Sequence, residues 1–188
     1  MPVPLTDPTA EPQTLDEVRD WHGAVAEALL AHRAEVLNAI RGGLAVARRF
    51  SGMTEADIDG TFDAQRRELD RLTVLNLVAS AEASIKLDFF RRVRGKLKDP
   101  LARAYRNWHK SLSGAKQLRP DFDVSGILDV LRNGYLPDKN ILGRFRECLR
   151  PRHWIGHGRY WGKPIEVDAL DAEEVYDRAR ELLAAIPP

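Results

Sequence analysis

An uninterrupted run of helical periodicity, over residues 62–97, constrains the fold of this chain more than any other feature. Its apolar residues return every three or four positions, as they do along the buried face of an α-helix. A helix of that length needs other helices to cover its apolar face. The same spacing recurs, more briefly, over the following segments: 15–40, 100–112, 124–131, 141–149 and 171–186. The sequence therefore predicts an all-α helical bundle of about five to seven helices.

Local signals place several helix ends. Thr14, Thr54 and Asp171 are each followed three positions later by an acidic residue, which is the pattern of a capping box at a helix N-terminus. Gly42 and Gly43 predict a bend in the first helix, after which the helical pattern resumes as far as residue 50. These signals predict where helices begin, with an interruption after residue 41.

The domain organisation follows from length and composition. With 188 residues, the chain is long enough to bury one core, and we expect a single domain over residues 14–188. Residues 1–13 are rich in proline and lack helical periodicity, so they are expected to form a mobile N-terminal arm. Residues 163–167 are the only stretch that could form a strand. The single cysteine, Cys148, rules out an internal disulfide framework and is expected in the core.

The sequence contains no apolar run of the about 18 residues that a membrane span needs. The first residues lack the basic and apolar regions of an export signal, so a cytoplasmic location is expected. No pattern for a nucleotide-binding loop, a zinc protease or a serine hydrolase occurs, and no cofactor is predicted.

Charge is distributed unevenly along the chain. Residues 86–165 contain 19 Lys and Arg against 7 Asp and Glu, although the whole chain is nearly balanced at 29 against 28. A basic segment of this kind fits a polyanionic partner such as RNA. It fits equally well with acidic and basic helices that pair with each other inside the fold.

The most unusual segment covers residues 149–161, where two of the five histidines, three arginines and two tryptophans fall within thirteen positions. Pro151 is tolerated in the first turn of a helix, so a short helix is expected to start there and to end at Gly158. Arg152 and His153 would then lie at its N-terminus, where free amides favour a phosphate. His153 and His157 are four residues apart and therefore share one helix face.

These side chains suit cleavage of RNA without a metal ion. A histidine near neutral pKa can remove the proton of a ribose 2′-hydroxyl or protonate the leaving 5′-oxygen. An arginine can stabilise the charge that develops on phosphorus. The products would be a 2′,3′-cyclic phosphate and a 5′-hydroxyl.

The segment Arg152-His153-Trp154-Ile155-Gly156-His157 resembles the Arg-polar-x3-His signature of the HEPN superfamily. The resemblance covers the signature and the helical bundle around it. It implies an endoribonuclease that acts as a homodimer, of the kind found among toxins and anti-phage effectors, with a possible cognate antitoxin protein. It also implies that Arg152 and His157 are the catalytic pair and that His153 assists them.

Further residues are assigned supporting roles. By the same resemblance, Glu82 could orient Arg152 or His157. Glu82 and Lys86 are also four residues apart on the predicted helix, so the alternative is that they form only a solvent-facing ion pair that stabilises this helix. The arginines predicted to contact the RNA backbone are Arg91, Arg92, Arg150 and Arg159. Tyr105 and Trp108 could stack on unpaired bases, but their spacing favours the core.

Three other interpretations remain open at this stage. The protein could be a non-catalytic HEPN-like module that binds RNA, a nucleotide or another protein. His157 and Trp154 could be packing residues of a buried helix. His153 and His157 could share a metal ion, although no third ligand lies near them in the sequence, and no metal is predicted.

Overall fold

Eight α-helices and one 3₁₀ helix form the secondary structure of residues 12–188, the part of the chain that this computed structural model describes, apart from the side chain of Asp168. In order they are α1 (Leu15–Arg41), the 3₁₀ helix (Arg48–Phe50), α2 (Glu55–Arg94), α3 (Pro100–Ser111), α4 (Ala115–Leu118), α5 (Ile127–Arg132), α6 (Lys139–Gly156), α7 (Glu166–Ala169) and α8 (Ala172–Ala185). The predicted all-α bundle is confirmed. Six of these α-helices have six residues or more, within the predicted number.

Helix α2 organises the bundle. Its 40 residues give it a length of about 60 Å, and α1, α3, α6 and α8 all pack against it. The main core contains buried side chains from each of these helices and from α5, including Val18, Phe89, Tyr105, Ile127, Phe145 and Val175. Burial of this apolar surface, at roughly 25 cal/mol per Å², is the main stabilising contribution to the bundle.

A smaller cluster lies where α1 ends and α2 begins. Phe50 and Phe62 stack with ring centroids 5.8 Å apart, and the His32 ring meets both of them edge to face. Ile58 is completely buried beside them. This cluster fixes the turn between the two longest helices.

The predicted helix starts are confirmed by the backbone. Thr14 and Thr54 each form a complete capping box, in which the threonine side chain accepts from the third helical amide and the acidic residue accepts from the cap. Asp171 caps α8 through the Glu174 amide. The predicted end of the first helix is wrong, because α1 stops at Arg41 and does not resume as an α-helix. Gly43 adopts φ +67°, in the left-handed region that favours glycine.

Two other expectations from the sequence concern the N-terminal arm and a possible strand at residues 163–167. Residues 1–11 of the predicted N-terminal arm lie outside the described residues, while Pro12 and Gln13 are exposed and irregular. The strand alternative for residues 163–167 is wrong, because α7 begins at Glu166 and residues 12–188 contain no strand. Of the helices in that range, none is both long and apolar enough to cross a membrane.

Candidate active site

The segment with the histidine and arginine cluster forms the last two turns of α6 and the loop that follows. The predicted helix start at Pro151 is wrong: α6 runs without interruption from Lys139 to Gly156, with Pro151 inside it. Proline in a helix interior lacks the N–H that would bond the carbonyl of Glu147, at a cost of about 3 kcal/mol. Pro151 is buried and lines a small cavity together with Ile155 and with Val74 of α2.

The predicted end of this helix at Gly158 is confirmed. The Gly158 amide donates to Ile155 and the Arg159 amide donates to Trp154, which is the hydrogen-bond pattern of a Schellman motif with His157 as the C-cap. Gly158 has φ +82°, which glycine adopts without strain. The candidate site therefore lies at a helix C-terminus. Its free carbonyls do not attract a phosphate, so positive charge at the site comes from side chains.

Arg152 points from α6 onto the middle of α2. Its Nη2 donates to Oε2 of Glu82 at 3.0 Å, and the other carboxylate oxygen of Glu82 accepts from Nζ of Lys86 at 2.5 Å. The Glu82 side chain is only 16% exposed, so its charge is held in place between the two cations. The Arg152 side chain is 29% exposed. Its Nε is buried and has no hydrogen-bond partner among the described side chains and backbone groups.

His153 and His157 project from the same side of α6, as their spacing predicts. Their rings lie nearly parallel with centroids 6.1 Å apart, and both residues are exposed to solvent. The pKa of His153 is lowered from its ordinary value of 6.5, first because packing removes part of the ring from water and then because Arg152 and His157 lie nearby. Glu82 and Asp123 act in the opposite direction but do not cancel this effect. His153 is therefore predominantly neutral at pH 7.

An open groove of about 550 Å³ lies beside His153. Its walls carry residues of both charges, among them Asp123, Arg146, Arg150 and Glu166. Arg146 donates to Asp123 at 2.6 Å and to Asp129 at 2.8 Å. A groove of this size can hold a nucleotide-sized ligand next to the imidazole.

The four arginines predicted to bind the RNA backbone occupy different environments. Arg150 is largely exposed and bonds to Glu166 at 2.9 Å. Arg159 turns away from the histidines and makes two bonds to Glu68, at 2.7 and 2.6 Å. Arg91 is exposed at the far end of α2 from Glu68. The structure brings Arg150 into the groove beside His153 and places Arg91 and Arg159 elsewhere.

Arg92 is a correction to the sequence analysis. Its side chain is 1% exposed, which removes it from any contact with RNA. The guanidinium bonds to Asp88 at 2.6 Å and to Asp99 at 2.9 Å, and it also donates to the carbonyl of Pro187. Arg92 therefore ties α2, the start of α3 and the C-terminus together, and its role is structural.

The uneven charge of the sequence is partly balanced inside the fold. Arginines of the basic segment bond to carboxylates that lie outside it, in the following pairs: Arg144 with Glu181, Arg150 with Glu166, Arg152 with Glu82 and Arg159 with Glu68. The pairing interpretation is therefore correct for these arginines of α6 and of the loop that follows it. Exposed basic residues remain around α3 and the nearby loops, including Lys96, Lys98, Lys110 and Arg119.

For several other residues, the degree of burial decides between the alternative roles that the sequence left open. Tyr105 is completely buried and Trp108 packs against the core, so the core interpretation is correct for both. Trp154 is also buried, whereas His157 is not, so the packing alternative applies to only one of the two. Cys148 is buried as expected. Among the side chains that the structure describes, which exclude that of Asp168, there is no group of three or more His, Cys, Asp or Glu placed to hold a metal ion.

Sequence reasoning missed two features of the site. Glu68, which holds Arg159, is 91 positions away from it, and no local pattern connects them. Trp161 lies 6.0 Å from the His157 ring, and Tyr160 meets Trp161 edge to face at 4.6 Å. The concentration of aromatic residues after His157 is the one sequence signal that pointed to this second feature.

No protein-family model matches the chain, and comparisons with curated proteins and with solved structures also give no match. Interpretation of the site therefore depends on its own geometry. That geometry consists of two neighbouring exposed imidazoles, an arginine fixed by a carboxylate, and a groove of nucleotide size beside one of the imidazoles, that of His153.

Proposed function

We propose that the protein is a HEPN-type endoribonuclease that cleaves single-stranded RNA without a metal ion. The observation that carries the proposal is the pair of exposed imidazoles, His153 and His157, on the helix that also holds Arg152. Cleavage next to a ribose 2′-hydroxyl requires one group to accept a proton and another to donate one. Two histidines 6.1 Å apart can serve one phosphodiester from opposite sides of the reacting phosphorus.

The roles follow from the environment of each group. His153, with its lowered pKa, accepts the proton of the 2′-hydroxyl as the 2′-oxygen bonds to phosphorus. The bond from phosphorus to the 5′-oxygen then breaks, and His157 donates a proton to the leaving oxygen. The products are a 2′,3′-cyclic phosphate and a 5′-hydroxyl, and no other reactant is consumed.

Arg152 supplies the positive charge that the transition state needs. One of its five N–H donors is used by Glu82, so donors remain for a phosphoryl oxygen. Glu82 acts as a positioning residue, because it fixes the guanidinium through Nη2 without reaching the histidines. Lys86 balances the charge of Glu82, which leaves a net positive charge on the group of three.

A homodimer is part of the proposal, because the HEPN resemblance implies one. The positions of His153 and His157 bear on which catalytic groups the second subunit must supply. With both imidazoles on one chain, the acid and the base need not come from different subunits. A second subunit would instead close the exposed face of α6 over the substrate and exclude water from it.

The proposal is tested by incubating the purified protein with a single-stranded RNA in EDTA. We expect cleavage to continue when free divalent ions are removed, because the mechanism uses side chains alone. End analysis of the fragments should show 2′,3′-cyclic phosphates and 5′-hydroxyls. Fragments with 5′-phosphates, or activity that EDTA abolishes, would contradict it.

A second function is favoured by one observation. Because Glu82 pairs with both Arg152 and Lys86, the three groups together carry one net positive charge, which is less than in a phosphate-binding site built from free arginines. This fits a non-catalytic module that binds RNA, a nucleotide or a protein. Tight binding of RNA with no cleavage under any ionic condition would support this module and exclude the nuclease.

The pH dependence of cleavage gives an independent prediction about His153. Because its pKa is lowered, the ring stays neutral and able to accept a proton to a more acidic pH than an ordinary histidine. We expect the acidic limb of the kcat/KM profile to have its midpoint below pH 6.5. In His153→Gln this limb should disappear together with most of the activity. A midpoint at or above that value, or an unchanged limb in the variant, would remove His153 as the base.

A further inference from the structure

The loop after α6 exposes two aromatic rings directly beside His157. The Tyr160 side chain is 82% exposed and that of Trp161 is 38% exposed. Aromatic rings of this size usually bury most of their surface, because burial of each one contributes substantially to stability. Two adjacent rings left open next to a candidate active site suggest a role in binding.

The aromatic pair is fixed in position by the fold. Trp154 is buried in α6 and donates its indole N–H to the carbonyl of Trp161 at 3.0 Å. Arg159 lies over the Trp154 ring and makes its two bonds to Glu68 on α2. The backbone on both sides of Tyr160 is therefore attached to the bundle, and ordering it on ligand binding should cost little entropy.

The mutual orientation of the rings leaves a binding face open. Tyr160 and Trp161 meet at an interplanar angle of 85° with centroids 4.6 Å apart, so neither ring lies flat on the other. The high exposure of Tyr160 shows that its faces are available to solvent. Trp161 forms a wall at the side of the Tyr160 ring, between it and His157, 6.0 Å away.

We propose that Tyr160 and Trp161 form a stacking subsite for an unpaired nucleobase of the RNA that is cleaved at His157. This inference rests on the proposed function for the identity of the cleaved strand. Exposed aromatic rings combined with cationic groups are the usual means by which proteins hold single-stranded nucleic acid. The cation that the proposed function places on the phosphodiester is Arg152, which Glu82 holds on α6.

The position of the subsite defines the substrate class. The Trp161 ring lies 6.0 Å from the His157 ring and 4.6 Å from the Tyr160 ring, so a base that stacks on Tyr160 belongs to the strand close to a phosphodiester held at His157. A base inside a duplex already stacks on its neighbours and pairs with the other strand, so it cannot reach this ring. The subsite therefore selects loops, bulges and single strands over duplex RNA.

Binding to an uncleavable oligonucleotide tests the subsite separately from catalysis. The probe is a short fluorescein-labelled single strand with a 2′-O-methyl group at every position, which has no nucleophilic 2′-hydroxyl. Its Kd is measured by fluorescence anisotropy, beside the Kd values of the same strand without bases and of the same strand in a duplex. We expect Tyr160→Ala to weaken binding of the single strand about tenfold or more, and to leave binding of the abasic strand unchanged.

Two variants serve as controls. Tyr160→Phe keeps the ring and should bind like the original protein. Leu44→Ala removes a similarly exposed apolar side chain at the distant turn between α1 and α2, and it should also bind normally. Equal affinity of Tyr160→Ala and the original protein for the single strand would overturn the proposal. So would equal affinity for the strands with and without bases, or no binding of any strand.

The same comparison separates this inference from the proposed nuclease. If unmodified RNA is bound through Tyr160 but never cut, the subsite stands and the nuclease fails. If RNA is cut and Tyr160→Ala leaves KM unchanged, the nuclease stands and the subsite fails.

Discussion

Replacement of His157 by alanine should reduce the rate of RNA cleavage by about 100- to 10,000-fold. The imidazole of His157 is the only proposed donor of a proton to the leaving 5′-oxygen. Without it, the oxygen must leave as an alkoxide or take its proton from water. His157 is exposed at the C-cap of α6, where its ring lies beside the rings of His153 and Trp161, so the fold should not change.

The measurement is a single-turnover rate on a single-stranded RNA, with circular dichroism to confirm that helix content is retained. His22→Gln is the matched control, because His22 lies on α1 and bonds to Asp70 away from the site. It should cleave RNA normally. If His157→Ala cuts RNA as fast as the original protein, either another group is the acid or the activity belongs to a contaminant, and the proposed mechanism is wrong.

Replacement of Arg92 by methionine should lower the free energy of unfolding by about 3 kcal/mol. The variant removes the cation that pairs with Asp88 and Asp99, and both carboxylates are shielded enough that water replaces it incompletely. It also leaves the Pro187 carbonyl without its donor. In a chain of this length, a loss of that size corresponds to a fall in Tm of roughly 6 to 12 °C.

Arg91→Met is the matched control for this prediction. Arg91 is adjacent in sequence and bonds to the same Asp88, but its side chain is 66% exposed. An exposed ion pair contributes about 0 to 1 kcal/mol, so this variant should unfold at nearly the same denaturant concentration as the original protein. If both variants lowered the free energy of unfolding equally, the buried ion pairs of Arg92 would contribute no more to stability than the exposed pair of Arg91, and the prediction would be wrong. Chemical denaturation followed by circular dichroism provides both values.

The helix starts were predictable from the sequence because the groups that form them are close together in the chain. In each capping box, at Thr14 and at Thr54, the cap and its acidic partner are three residues apart, and their hydrogen bonds form as soon as the helix does. Gly158 could be placed for the same reason, since a left-handed residue at a helix end is a local requirement. The shared face of His153 and His157 follows from helical geometry alone.

The failures have a physical cause as well. Pro151 was expected to start a helix because its local cost inside one is high, but α6 continues through it, and Pro151 is buried beside a cavity that Val74 of α2 also lines. Arg92 was expected on the surface because arginine usually is. Its burial depends on a carbonyl 95 residues away, which no local pattern could indicate.

By itself, the sequence determined the all-α class, the helix starts that carry a capping residue and the set of side chains available for chemistry, because these depend on periodicity and on hydrogen bonds within one helical turn. Only the tertiary structure decided which of those side chains can act. Glu82 is brought to Arg152 across 70 residues and Glu68 to Arg159 across 91, while Arg92 is withdrawn into the core. Such contacts depend on how whole helices pack, since a buried charge is stable only where the fold supplies its partners.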